Sequence, residues 1–206
     1  ILKRRNIIIK NENETKRYDK CILKNISLEI DKGIYRVEGE NGSGKSTLLQ
    51  LLAGLETFDS GLKNCVSKDV LYLDTNQLGV IPFTIEENLQ LLCDSFQIHL
   101  SFEDKEQINT FFDNKIGDNY MTASTGTKFK LGLSLIFAKN WDYIFIDETL
   151  STVDARSIDM IAKRLISMKE SSTIIYVSHN LLHQELISKS QRILIEEGRV
   201  YEISNK

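Results

Sequence analysis

Residues 39–47, Gly39-Glu40-Asn41-Gly42-Ser43-Gly44-Lys45-Ser46-Thr47, constrain the fold more than any other part of the chain. They read G-x-x-x-x-G-K-[ST], a phosphate-binding loop pattern. Gly39, Gly42 and Gly44 let the backbone take positive φ and come close to a ligand. The exposed N–H groups then form a cradle for phosphate oxygens at the positive end of the following helix. Lys45 supplies a mobile cation for β- and γ-phosphates, and the Ser46 hydroxyl suits a Mg²⁺ ion. Asn41, Ser43 and Thr47 complete this candidate nucleotide site. Its context fits: the apolar run Ile34, Tyr35, Val37 precedes it, and Leu48, Leu49, Leu51 and Leu52 follow at helical spacing until Gly54. Strand, loop and helix in that order are what the pattern needs.

A chain of 206 residues is long enough for one well-buried core, and 41% apolar with 27% charged residues is the composition of an ordinary globular protein. The net charge of −3 gives no reason to expect nucleic acid as a partner. Lys3-Arg4-Arg5 and Lys16-Arg17 read as parts of a solvated face. Cys21, Cys65 and Cys93 are odd in number and far apart, which argues against a disulfide framework or a zinc site and for a reducing compartment. No apolar run approaches the ~20 residues that span a bilayer.

Strand patterns open the chain. Ile7-Ile8-Ile9 is β-branched, and Ile26, Leu28 and Ile30 alternate with polar residues before the turn Asp31-Lys32-Gly33. After the loop and its helix comes a turn at Asp59-Ser60-Gly61, then the buried-type strand Val70-Leu71-Tyr72-Leu73. Thr84-Ile85-Glu86-Glu87 is a capping box for a helix with Ile85, Leu89, Leu92 and Phe96 on its apolar side. Ser101-Phe102-Glu103-Asp104 begins a second helix, and a third spans about residues 124–138. Strand and helix then alternate: the strand Tyr143-Ile144-Phe145-Ile146, a helix with Ile158, Ile161, Leu165 and Met168 on one face, and the strand 173–177. Residues 181–189 read as helical, and 192–203 as a hairpin around Gly198. The expected class is α/β, with a helical subdomain of about 84–136 inserted into a core of about 1–83 and 137–206 in a single domain.

An apolar strand ending in Asp147-Glu148 is the natural partner of a phosphate loop. Asp147 at the strand's carboxyl end is placed for the Mg²⁺ shell, and Glu148 for polarising an attacking water. His179 follows the strand Val177-Ser178 directly and is a candidate γ-phosphate contact.

These residues, in this order, resemble the ABC-type ATPase domains: Walker A at 39–47, Walker B at Asp147-Glu148, a D-loop at Ser151-Thr152-Val153-Asp154, and a switch histidine at His179. The resemblance covers the chain from Tyr18 to the terminal hairpin. It implies a P-loop NTPase core of RecA-like type, with a mainly parallel sheet, an N-terminal antiparallel β subdomain and the helical insert. ATP and Mg²⁺ are the implied ligands, ATP hydrolysis the activity. Two such domains pair head to tail in the family, each Walker A facing the other subunit's signature motif. The matching stretch here is Ala123-Ser124-Thr125-Gly126-Thr127, where Leu-Ser-Gly-Gly-Gln is usual. Ser124 and Gly126 survive, while Thr125 adds a Cβ where glycine allows close approach. Thr149 stands where the family usually has proline.

For the family glutamine, spacing back from Thr84 favours Thr75 and chemistry favours Gln77; Gln77 is the choice made, as a metal and water contact. Tyr18 resembles the aromatic that stacks on adenine, with Arg17 or simple strand packing as alternatives. The resemblance implies an ATP-binding subunit of an ABC transporter, exporter-like in its compact insert. It would sit in the cytoplasm on the inner face of the cell membrane, with transmembrane permease subunits and a second ATPase subunit, identical or not, as partners. A soluble ABC ATPase serving protein or cofactor assembly is the alternative. A GTPase is disfavoured, because Asn114-Lys115-Ile116-Gly117 lacks the aspartate of the guanine-reading motif.

Overall fold

The computed structural model describes residues 7–10, 15–17, 21–24, 26–57, 69–179 and 183–203. Tyr18 and the expected turn at Asp59-Ser60-Gly61 lie outside them, as do Cys65 and residues 181 and 182. The amino-terminal strands β1 (Ile7–Lys10), β2 (Thr15–Arg17), β3 (Cys21–Lys24) and β4 (Ser27–Ile30) pair antiparallel, β1 with β4 and β2 with β3. The expected β-branched runs supply β1 and β4. The small hairpin of β2 and β3 is an addition to them, since three- and four-residue strands carry too little alternation to register.

A six-stranded sheet forms the centre, in the order β10 (Arg199–Ile203), β9 (Gln191–Glu196), β5 (Gly33–Gly39), β8 (Thr173–Val177), β7 (Tyr143–Asp147), β6 (Val70–Leu73). All neighbours run parallel except the terminal hairpin β9–β10. The strand period of two sorts side chains onto two faces. Tyr143 and Phe145 of β7, Ile175 and Val177 of β8, and Tyr35 and Val37 of β5 meet α1 (Lys45–Ala53) on one face. Ile144 and Ile146, Ile174 and Tyr176, and Ile34 meet the remaining helices on the other.

Burying both faces of a parallel strand requires an apolar residue at nearly every position, which is why β7 and β8 were readable as continuous runs. Strand β6 is different. It pairs only with β7, and Tyr72 and Val70 are half-buried where Leu71 and Leu73 are buried. The expected buried-type strand is therefore an edge strand.

Helix α1 buries Leu48, Leu49, Leu51 and Leu52, each worth about 1.5–3 kcal/mol of transfer free energy. Gly54 ends it in the left-handed region at φ 76°. Between β6 and β7 come α2 (Ile85–Ser95), α3 (Phe102–Phe111) and α4 (Thr125–Ala138). The expected capping box at Thr84 forms, its hydroxyl accepting from Glu87 N at 3.1 Å, and the expected helix start at Ser101 proves to be a capping box too, its hydroxyl accepting from Asp104 N at 3.1 Å. Phe96 caps α2 and stays partly exposed, its ring edge-on to buried Trp141 at 5.2 Å.

Residues 130–138 of α4 are all buried. Their side chains join α2, α3 and the sheet in one apolar cluster, so the inserted helices share the core's interior rather than owning a separate one. Helices α5 (Ala155–Met168) and α6 (Gln184–Lys189) cover the same face of the sheet.

Candidate ATP site

Parallel register aligns the chemistry along one sheet edge. Val37 of β5 pairs with Val177 of β8, and Val177 with Asp147 of β7. Two residues beyond Val37 the loop of 39–47 begins, and His179 lies two residues beyond Val177. Glu148 N–H donates to Val177 O at 3.0 Å, extending the ladder by one residue.

Gly39, Gly42 and Gly44 have φ of 155°, 78° and 101°. At Gly39 a Cβ would lie 2.6 Å from Ser43 Oγ and 2.7 Å from the Ile195 carbonyl oxygen, so only glycine fits. Helix α1 starts at Lys45 with Gly44 as its N-cap and no side-chain cap. Its first N–H groups therefore face outward uncapped by protein, beside the loop. Lys45 is buried, and its ammonium donates to the carbonyls of Gly39 (3.0 Å) and Glu40 (2.8 Å), arching the loop around it. Asn41 and Ser46 are exposed; Thr47 is half-buried.

Asp147 is 8% exposed. Burial pushes its carboxyl above the usual range, against hydrogen bonds from Ser46 and Tyr72. The Tyr72 hydroxyl donates to Asp147 Oδ2 at 3.3 Å, while Oδ1 has no partner. Two other buried side-chain atoms are orphaned among the described residues, Ser43 Oγ within the loop and Ser178 Oγ, which lines the same cleft as Gly39 and Lys45. Orphaned buried oxygens are rare in native proteins. Their gathering at an uncapped helix N-terminus with an unoccupied carboxylate oxygen fits a polyphosphate and its divalent cation. Residues Ser46 and Asp147 would hold the cation.

Glu148 sits in the left-handed region at φ 58°, a conformation costing of order 1 kcal/mol for a side-chain-bearing residue. Its Oε1 is 3.0 Å from His179 Nε2. A cleft of about 220 Å³ joins His179, Ser178, Lys45 and Gly39, with Arg36 and Glu38 at its back. Burial works to raise the Glu38 carboxyl, but hydrogen bonds and charge from Arg192 and Arg36 outweigh it and hold it below the usual range. Thr149 is buried and its hydroxyl donates to Asp147 O at 3.2 Å, a bond that proline could not make.

Ser124 and Gly126 lie at the start of α4. Ser124 is the N-cap: its Oγ accepts from Thr127 N at 3.1 Å and touches Thr127 Oγ1 at 2.8 Å. Gly126 faces the Thr152 carbonyl, 3.5 Å from where a Cβ would stand. Asp154 caps α5, accepting from Ser157 N and Ser157 Oγ, both at 2.9 Å, and pairs with Lys130 Nζ at 3.0 Å. Burial opposes ionisation there, yet the Ser157 and Lys130 contacts prevail and set the carboxyl at about 2. Gln77 and Thr75 are both exposed in the segment after β6. Just before them Asp74 accepts from Asn76 N (2.8 Å) and Asn76 Nδ2 (2.7 Å), a local turn. Asn114 of the guanine-like tetrapeptide sits in a turn after α3, its N–H donating to Asn109 O at 2.9 Å and its side-chain Oδ1 accepting from Asn109 Nδ2 at 3.2 Å.

Sequence reading passed over Tyr72, Ser178 and Asn88. The first two have only a strand position as signal. Buried Asn88 of α2 bonds Val80 N (2.6 Å), Val80 O (3.1 Å) and Thr84 O (2.9 Å), fixing the segment before the helix.

The family profile described as ABC transporter matches residues 23–151. A probable ABC transporter ATP-binding/permease protein of Haemophilus influenzae is 31% identical over 200 residues, 87% of this chain and 36% of that protein. The phosphonates import ATP-binding protein PhnC of Fusobacterium nucleatum is 31% identical over 94% of this chain and 91% of its own length. Among solved structures, an ATP-binding subunit of an ABC transporter aligns at TM-score 0.78 and 18% identity, over 96% of this chain and 90% of that one. A dimeric ATP-binding cassette in a post-hydrolysis state with ADP and phosphate aligns at 0.72 and 19%, over 97% and 99%. The chain belongs to the ABC transporter family, as an ABC-type ATPase domain with the P-loop NTPase fold. It spans about a third of the Haemophilus relative and nine tenths of the Fusobacterium one. No helix among the described residues is long and apolar enough to cross a membrane.

Proposed function

We propose that this chain is the ATP-hydrolysing subunit of an ABC transporter, closing on a second cassette when ATP binds and reopening after hydrolysis. The observation that carries the reading is the gathering of Ser43 Oγ, Asp147 Oδ1 and Ser178 Oγ, all buried and unpartnered, around the glycine cradle and Lys45. In this reading the N–H groups of 42–47 and Lys45 hold the β- and γ-phosphates, and the lysine exchanges loop carbonyls for phosphate oxygens. Ser46 and Asp147 would hold Mg²⁺, which would supply charge neutralisation when bound. Glu148 orients and deprotonates the water, and His179, 3.0 Å from it, contacts the γ-phosphate. Gln77 closes over the same end. Tyr18, outside the described residues, stacks on adenine.

Ser124, Gly126 and Asp154 serve the nucleotide of the paired cassette, as the ordering of Walker and signature elements on separate parts of the chain supports. The proposed domain layout is one ATPase domain with residues 84–136 as its helical subdomain. A strip of exposed Leu78, Val80, Ile81 and Phe83, in the segment leading into that subdomain, supports a permease contact there. Asn88 and the Tyr120 hydroxyl, which accepts from Gly79 N at 3.2 Å, hold the strip in place. Such a partner places the chain on the cytoplasmic face of a membrane. The compact insert supports an exporter-like member; the import relative, aligned over 91% of its length, supports an importer equally, so the proposal covers the ATP cycle and leaves direction aside.

The test is Glu148→Gln with ATP and Mg²⁺, followed by light scattering. An ATP-dependent dimer that persists without turnover is the expected result; a monomer at saturating ATP rejects pairing with a second copy.

A further inference from the structure

Two lysines are buried among the described residues, Lys45 and Lys130, each 6% exposed. Lys45 belongs to the loop. Lys130 lies two turns into α4 and has no part in the chemistry above. A buried ammonium must be paired and hydrogen-bonded, and its partners come from two other segments. From the carboxyl end of α3 and the turn beyond it come Phe111 O at 3.2 Å and Asp113 Oδ2 at 3.2 Å. From the loop before α5 comes Asp154 Oδ2 at 3.0 Å.

The Phe111 ring lies under the ammonium, 5.5 Å from its centroid. Arg156 of α5 reaches back to Asp113 and so ties the same two segments a second time. Asp113 itself is held at φ 56°, left-handed and strained for a non-glycine. Asp154 is at once the N-cap of α5 and a partner of Lys130.

We propose that Lys130 is a positioning residue of the ATPase cycle, an ionic hub that locks the helical insert, the start of α4 and the Asp154 loop into one body. The proposal deepens the reading in which Ser124, Gly126 and Asp154 face the nucleotide of a paired cassette. Without the hub, Ser124 would follow the insert and Asp154 would follow the sheet. With it, the two face the paired cassette's ATP as one unit. Lys130 does not touch substrate and acts only through these residues.

Lys130→Met keeps the stem and removes the charge, and both carboxylates are at least 45% exposed, so they can hydrate. Hydrogen exchange on the full chain reads the coupling. The Ser157 amide, bonded to Asp154, and the Asn114 amide, bonded to the Asn109 carbonyl, should speed up together at least 10-fold, while the Leu48 amide of α1 stays unchanged. Lys130→Arg should restore both to within 3-fold. Turnover by Lys130→Met should fall at least 10-fold in kcat with KM for ATP within 2-fold. The core variant Leu133→Ala, which lowers stability without touching the hub, should not open the two sites selectively. Should Lys130→Met fail to fold, Asp113→Asn is the milder probe, and exchange at Ser157, on the far side of the lysine, must still rise. Response of one segment alone, or kcat within 2-fold of wild type, overturns the hub. Failure of cassette pairing is separately visible as a Glu148→Gln chain that stays monomeric, and the exchange result stands in either case.

Discussion

Around residues 39–47, Ser43 Oγ and Asp147 Oδ1 are buried with no partner, and α1 opens without a side-chain cap. Around Ser124 and Asp154 the side-chain oxygens are already bonded within the chain: Ser124 to Thr127, Asp154 to Ser157 and Lys130. The first region bears the cost of unsatisfied polar groups, a cost that a phosphate and a cation would offset on binding. The second already has partners for these oxygens within the chain and carries no such cost. Affinity for nucleotide is thus expected from the loop half, and the closing of two cassettes from the signature half.

Changes to the loop half should have the largest effects. Glu148→Gln keeps the shape of the site and removes the base, so kcat should drop by about 10²–10⁴ with nucleotide affinity within a few-fold, measured by phosphate release and by calorimetry. Lys45→Ala removes both the cation and the bonds that arch the loop; losing a charge-assisted hydrogen bond costs about 1.5–3 kcal/mol, so ATP should bind roughly 10–100-fold more weakly. A smaller change is expected for Tyr72→Phe. It deletes one hydrogen bond to Asp147, worth about 1 kcal/mol, so the melting temperature should fall by about 2–4 °C and the Mg²⁺ concentration for half-maximal turnover should rise about 5-fold.

The signature half should respond mainly in stability. Asp154 is held near 2 when folded, below its ordinary 3.8. A depressed folded value stabilises above the unfolded one, so the contribution is complete above pH ~4 and disappears as pH falls toward 2. Because the carboxyl is 56% exposed, screening limits it to about 1 kcal/mol or less. Urea midpoints of wild type and Asp154→Asn should differ at pH 6 and converge toward pH 2. A gap that persists at low pH would show that the aspartate acts by shape and not by charge.

Legibility in the sequence followed the range of the interactions. The capping box at Thr84 and the helix start at Ser101 rest on contacts between residues three apart, and both formed as read. Strands β7 and β8 announced themselves because a doubly covered strand has no polar position to spare. Asp147 stood out as the first polar residue after such a run. What escaped depends on register between distant strands and helices. Tyr72 reaches Asp147 only because β6 pairs with β7, and Lys130 meets Asp113 and Asp154 across two chain crossings. Thr75 and Gln77 are both exposed after β6, so burial does not settle between the spacing that favours Thr75 and the chemistry that favours Gln77. The Thr149 hydroxyl bond to Asp147 explains locally how this chain does without proline there, and no sequence pattern marks it.

The central claim is that the chain carries one nucleotide-binding half and one half that serves a neighbour's nucleotide. ATP titration of two variants side by side, with turnover measured on each, tests it most directly. Lys45→Ala should lose binding and turnover together. Ser124→Arg should bind ATP as a monomer within 2-fold of wild type and yet lose turnover. Equal loss of monomer binding in both variants, or turnover that survives in Ser124→Arg, would contradict the claim.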